Sequence, residues 1–222
     1  MRRFIRDHSL SIVALGVFLV IWLGGQAWSG HRSFNEERRA NGEAPVSFAE
    51  YLTRADFGEA TFENWESEFL QMGVYVLLTA WLVQKGSAES KPARGDPTLD
   101  ADPRRHHDDL KAPWPVRRGG WVLRVYEHSL SIAMFVLFAL AFAGHLVTGA
   151  RAFNTEQLAR GEPTLSPLGY LFRSHFWFES LQNWQSEFLA VGSLVVLSVY
   201  LRERGSPESK PVHAPHASTG AD

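Results

Sequence analysis

The sequence predicts an all-α integral membrane protein: four transmembrane helices from a tandem two-helix parallel repeat, with short helices in the outer loops. Two observations carry this expectation. Apolar residues concentrate in four segments, roughly Leu10 to Trp28, Trp65 to Val83, Leu130 to Val147 and Trp184 to Leu201. Each is close to the ~20 residues that cross a ~30 Å hydrocarbon core at ~1.5 Å per residue. Second, the chain repeats itself. Gly30 to Pro92 matches Gly149 to Pro211 at an offset of 119 without a gap, with 29 of 63 positions identical, the mark of an internal duplication.

Averages conceal this pattern. With 222 residues, 45% of them hydrophobic, and a mean hydropathy of −0.15, the composition alone would suit an ordinary soluble domain. The first apolar segment follows MRRFIRD, the charge order of a secretory leader. However, His8-Ser-Leu-Ser-Ile12 reappears as His128-Ser-Leu-Ser-Ile132 before the third segment, deep in the chain, so the first segment reads as a span as well. That match has an offset of 120, which places a one-residue deletion inside the third span.

Each repeat reads as a span, an outer loop of about 35 residues and a second span. Residues 1–92 form the first two-span repeat and 121–211 the second. Residues 93–120, rich in proline and mixed charge, read as a flexible cytoplasmic linker, and 212–222, short of large apolar residues, as a disordered tail. A two-span unit returns the chain to its starting side, so the copies have the same orientation, related by a pseudo-two-fold axis along the membrane normal.

Charge sets the expected topology. Of 22 Lys and Arg, three precede the first span, nine lie between the second and third, and three follow the fourth, leaving seven in the outer loops. Basic residues mark the cytoplasmic side, so both termini and the linker are expected there, with 29–64 and 148–183 outside. Before the third span, Trp114, Trp121 and Tyr126 alternate with Arg117, Arg118 and Arg124, a composition suited to the membrane interface. The net charge of −2 gives no reason to expect nucleic acid. Cysteine is absent, which removes disulfides and thiol chemistry.

The outer loops mix aromatics and charges at a spacing compatible with short surface helices. Tyr51, Leu52, Arg54 and Phe57 recur as Tyr170, Leu171, Arg173 and Phe176. A small outer cap built from both loops is expected. Arg32 and Arg151 suit pairing with Glu37 and Glu156 as well as they suit a ligand.

The candidate site is NWESEFL, residues 64–70, and its copy NWQSEFL, residues 183–189. On a helical wheel Asn64, Ser67, Glu68 and Gln71 share one face, repeated by Asn183, Ser186 and Glu187. Gly73 and Gly192 sit opposite, where small residues permit close helix approach. Two readings fit the carboxylates. In one, Asn64 and Asn183 cap their helices and the glutamates are held ionised by the helix dipole. In the other, Glu68 and Glu187 face each other and share a proton or bind an ion or small solute.

His8 and His128 form a candidate polar pair at the cytoplasmic ends of spans one and three, and read as interfacial imidazoles rather than metal ligands. Gln26 and His145, at equivalent outer positions, suit an interhelical hydrogen bond. His106-His107-Asp108-Asp109 has no repeat counterpart and reads as a solvated charge run. No HExxH, GxSxG, phosphate loop or CxxC motif is present, so no catalytic residue, metal or cofactor is assigned.

The repeated NWxSEFL, the HSLSI opening and the GSxESKP exits at Gly86 and Gly205 resemble a family of small bacterial membrane proteins of unknown function. The likeness covers both repeats and implies a bacterial inner-membrane protein without supplying an activity. The sequence expectation is therefore a non-enzymatic membrane protein: a small channel or transporter for a proton, cation or small solute using Glu68 and Glu187. The alternative is an assembly or stress-response module that binds a protein partner, with NWxSEFL purely structural. The lipid bilayer is the expected partner, and a homo-oligomer is compatible with so few spans.

Overall fold

The computed structural model describes residues 2–96 and 98–220, which form helices joined by loops and turns, with no strand among them. The chain begins with α1 (Arg2–Asp7) and α2 (Ser9–Leu19), continues through a π-helical turn (Val20–Gln26) into α3 (Ala27–Ala40), then α4 (Phe48–Tyr51) and α5 (Ala55–Trp81). A 3-10 turn (Pro103–His106) and α6 (Trp114–Arg118) occupy the linker. After them come α7 (Gly120–Glu127), α8 (Ser129–Ala159), α9 (Pro167–Leu171) and α10 (Ser174–Tyr200).

Two stretches are long and apolar enough to cross a membrane: Ser9–Ala40, of 32 residues, and Ser129–Ala159, of 31. Both outrun the apolar segment that seeds them, because the following polar sequence contains no breaker until Gly42 and Gly161, each at positive φ. α5 and α10 are 27 residues each but carry acidic residues in their first halves.

The element boundaries track the sequence offset. α3 and α8 end at Ala40 and Ala159, α4 and α9 start at Phe48 and Pro167, and α5 and α10 run over Ala55–Trp81 and Ser174–Tyr200, all 119 apart. The extra residue of the first copy lies between His8 and Gly30. A π turn accommodates one more residue than an α turn, and the π-helical turn Val20–Gln26 falls inside that stretch while α8 is α-helical throughout.

The described structure comprises two compact units, one of Met1–Phe62 with Gly144–Phe172, the other of Glu63–Ala143 with Arg173–Asp222. In the first, Ala27, Tyr51 and Phe57 form a buried cluster, packed by Trp22, Phe34, Val46 and Leu52. Trp22 stacks on Phe57 and donates its indole N–H to Thr61 Oγ1 at 3.1 Å. Glycine is required where tyrosine rings cross a helix: a Cβ at Gly30 would overlap the Tyr51 hydroxyl, and one at Gly149 would lie 2.9 Å from Tyr170 Cε1. A Cβ at Gly144 would meet the Phe62 ring at 2.6 Å.

The loops after α3 and α8 are pinned identically. Asn35 Nδ2 donates to the Val46 carbonyl at 2.9 Å and its Oδ1 accepts from the Val46 N–H at 2.8 Å. Asn154 does the same with Leu165, both at 2.8 Å. Ser47 and Ser166 then cap α4 and α9 by accepting from Glu50 N and Gly169 N. Arg32 lies over the Trp28 ring, and Glu156 pairs with Arg160. Local aromatic and i,i+4 partners are thus the observed neighbours of these residues.

In the second unit, Gly73 packs α5 closely against Met134 and Phe135 of α8. Phe138, Phe142, Phe176, Trp177 and Trp184 build an aromatic cluster between α8 and α10. The two GSxESKP exits fold alike. Gly86 and Gly205 both take φ 88, Ser90 and Ser209 accept from Gln84 N and Glu203 N at 2.9 Å, and Ser87 and Ser206 cap Glu89 N and Glu208 N. Their lysines differ. Lys91 pairs with Asp100 at 2.8 Å, whereas Lys210, 1% exposed, donates to the carbonyls of Pro215, His216 and Ser218. The C-terminal stretch consequently folds back, and Gly220 N reaches the Ser87 carbonyl at 2.9 Å.

Candidate functional site: the polar seam of α5 and α10

Helix starts decide what NWxSEFL can do. α5 begins at Ala55 and α10 at Ser174, so Asn64 and Asn183 stand well inside their helices and cap neither. The preceding stretches, ADFGEATFE with an acid in its first turn and SHFWFESLQ, are continuous with the apolar run because neither contains proline. The capping reading of these residues therefore does not hold. Their hydroxyl neighbours serve the helix itself: Ser67 and Ser186 donate to the carbonyls of Asn64 and Asn183, each at 2.8 Å.

The buried side of α5 is rotated by roughly a quarter turn from the expected face. Asn64 and Glu68 are exposed, whereas Glu66, Ser67 and Gln71 are buried, Glu66 completely. Ser180 donates to Glu66 Oε1 at 2.6 Å and Asn183 Nδ2 to Glu63 Oε1 at 2.5 Å. Gln71 Nε2 reaches the Glu187 carbonyl at 3.1 Å. These contacts line one seam between α5 and α10. Buried carboxylates are tolerated there because hydroxyl and amide donors face them.

Of the residues singled out by sequence, Asn183 belongs to the seam through its side chain, and Glu187 through its backbone. Glu187 is half-buried and lies close enough to Glu68 for the two carboxylates to repel one another. Ser186 is exposed. Gly192 does not mark a close approach, since a Cβ there would meet nothing within 4 Å.

His8 and His128 are exposed and sit at matching helix breaks, with φ −122 and −116, between α1 and α2 and between α7 and α8. His107 bonds its neighbour Asp108 at 3.0 Å on the exposed linker. In the other unit His145 is fully buried on α8, with a Glu59 carboxylate oxygen within 4.8 Å of its ring nitrogen, while Gln26 is half-buried.

Sequence reasoning passed over Glu63, Glu66 and Ser180. Glu66 occupies the one position where the two copies of the motif differ, Gln185 being its counterpart, so the residues the copies share do not include it. The asymmetry was the available signal: a carboxylate retained in one copy and neutral in the other.

No curated protein and no solved structure matches this chain. Its sequence pattern, followed over residues 1–221, places it in a defined family: the chain belongs to the family described as Domain of unknown function (DUF6766).

Proposed function

We propose that this chain is a four-span protein of the bacterial inner membrane, with both termini and the 93–120 linker cytoplasmic, in which the α5–α10 seam carries a proton or small cation. The observation that carries the reading is the complete burial of Glu66 beneath a 2.6 Å hydrogen bond from Ser180. An ionisable group fully enclosed between two helices is expensive, and within a membrane span such a group marks an ion or proton path. Glu63 with Asn183, and Glu68 with Glu187, extend the polar track along the same two helices. Two further features support four spans: α5 and α10 are each long enough at ~1.5 Å per residue to cross the bilayer, and the basic residues favour one side.

Two experiments test this reading. The cysteine-free chain allows single-cysteine labelling in sealed vesicles: Ser206→Cys and, at the exposed Lys85, Lys85→Cys should react only from the cytoplasmic side, and Ser47→Cys and Ser166→Cys only from outside. Proton or monovalent-cation flux into proteoliposomes should fall at least about tenfold in Glu66→Gln. It should fall further in the Glu68→Gln and Glu187→Gln double variant. Flux equal to that of protein-free vesicles for the wild type would end the transport reading.

A further inference from the structure

Further along the same two helices, a cavity of about 330 Å³ opens between the C-terminal halves of α5 and α10. Leu78 and Leu82 form one wall, and Phe188, Val191 and Val195 the other. Gly192 supplies the room, having no neighbour within reach of a Cβ. One end is polar. Tyr75 donates its hydroxyl to Glu89 Oε2 at 2.7 Å, and Ser90, also in the lining, is committed to Gln84 N and the Lys91 carbonyl.

Glu89 is the unusual group. Its Oε1 is buried and receives no donor, and the carboxyl of Glu208, its counterpart in the second copy, lies within hydrogen-bonding reach. Two carboxyl groups this close concentrate negative charge at the end of an apolar cavity. Among the described residues the lining contains no Lys or Arg to neutralise it. A half-buried carboxylate with one buried oxygen that receives no donor is costly, and a cation placed there lowers that cost.

We propose that this cavity binds a small amphiphilic organic cation, its apolar body between α5 and α10 and its cationic head at Glu89. The volume lies at the lower end of ligand pockets, and aliphatic and aromatic walls with one carboxylate suit an alkyl or aryl ammonium. They do not suit a hydrated metal ion, which demands several oxygen ligands. An amine-bearing phospholipid fits poorly because its phosphate would sit beside Glu89 and Glu208. The inference rests on the reading of α5 and α10 as membrane spans but requires no flux through the seam.

The test is calorimetric titration of benzyltrimethylammonium into the full-length protein in a non-ionic maltoside detergent, with neopentylbenzene, its uncharged carbon isostere, as the comparison. Saturable one-site binding of the cation is expected, with the isostere at least about tenfold weaker. Glu89→Gln should weaken the cation to the level of the isostere, and Gly192→Leu, which fills the cavity from an unobstructed position, should abolish both. Matching melting temperatures of the variants show that the fold persists. Absence of saturable binding to the wild type, equal binding of the isostere, or unchanged binding in Gly192→Leu would overturn the proposal. Binding without flux through Glu66 would uphold the cavity and remove the transport reading, and flux without binding would do the reverse.

Discussion

Ser180 holds Glu66 by a 2.6 Å hydrogen bond at a site with no solvent exposure, while Gln185, at the same register of the second repeat, is exposed. Two copies of one motif have therefore been put to different uses, and the difference falls on a single carboxylate.

Glu66→Ala should destabilise the protein by about 2–4 kcal/mol, because it removes a buried side chain and leaves the Ser180 hydroxyl without its acceptor. Glu66→Gln keeps an oxygen for Ser180 and should cost roughly 1 kcal/mol, and Gln185→Glu, on an exposed position, should be close to neutral. Thermal unfolding in detergent orders the three. Equal losses for Glu66→Ala and Gln185→Glu would contradict the seam.

Deleting Gly25 should convert the π-helical turn Val20–Gln26 into regular α-helix, since that turn falls in the stretch where the first copy exceeds the second by one residue. Its flanks keep their facing, and melting should stay within a few degrees of wild type. Deleting Ala139 from the uninterrupted α8 rotates one flank by ~100° against the other. That variant should lose its cooperative transition.

Asn35→Ala and Asn154→Ala each break two hydrogen bonds to the loop, at 2.8–2.9 Å. Each should cost about 1–3 kcal/mol and expose residues 41–46 or 160–165 to cleavage. Limited proteolysis, followed by mass spectrometry of the fragments, reads this directly. Loop cleavage at the wild-type rate in both variants would show that the asparagines do not pin the loops.

Burial raises the Glu89 carboxyl above the ordinary carboxylate range, the Tyr75 hydroxyl bond opposes the rise, and the neighbouring charge of Glu208 adds to it. Tyr75 on α5 and Glu208 after α10 are the titratable groups that face it. A raised folded-state value means that the native protein holds the proton more tightly than the unfolded chain. The associated stability is full below the ordinary carboxylate value near 4.5 and is lost as pH rises through the higher folded value. Melting temperature should therefore fall on moving from mildly acidic to neutral pH, with a shallower slope in Glu89→Gln. A slope unaltered by the substitution would place the titrating group elsewhere.

Sequence by itself determined the helical class, the repeat and much of the local chemistry. Of the four hydrophobic segments of span length, two coincide with stretches long and apolar enough to cross a membrane, and the 119-residue offset relates the starts of α4 and α9 and both ends of α5 and α10. Turn and loop motifs were legible because their causes are local: GSxESKP folds through its own serines, and each Asn reaches a carbonyl eleven residues on.

Tertiary structure decided which face of α5 is buried. Helical periodicity fixes which residues share a face but not which neighbour that face meets. The close approach of α8 at Gly73, together with the donors on α10, turned Glu66 inward and left Glu68 exposed. The pairing of Glu89 with Tyr75 and Glu208, and the room beside Gly192, likewise depend on how distant segments meet. A hydrogen bond or cavity between residues over a hundred positions apart is a property of packing, and identical motifs acquire different environments when the packing around them differs.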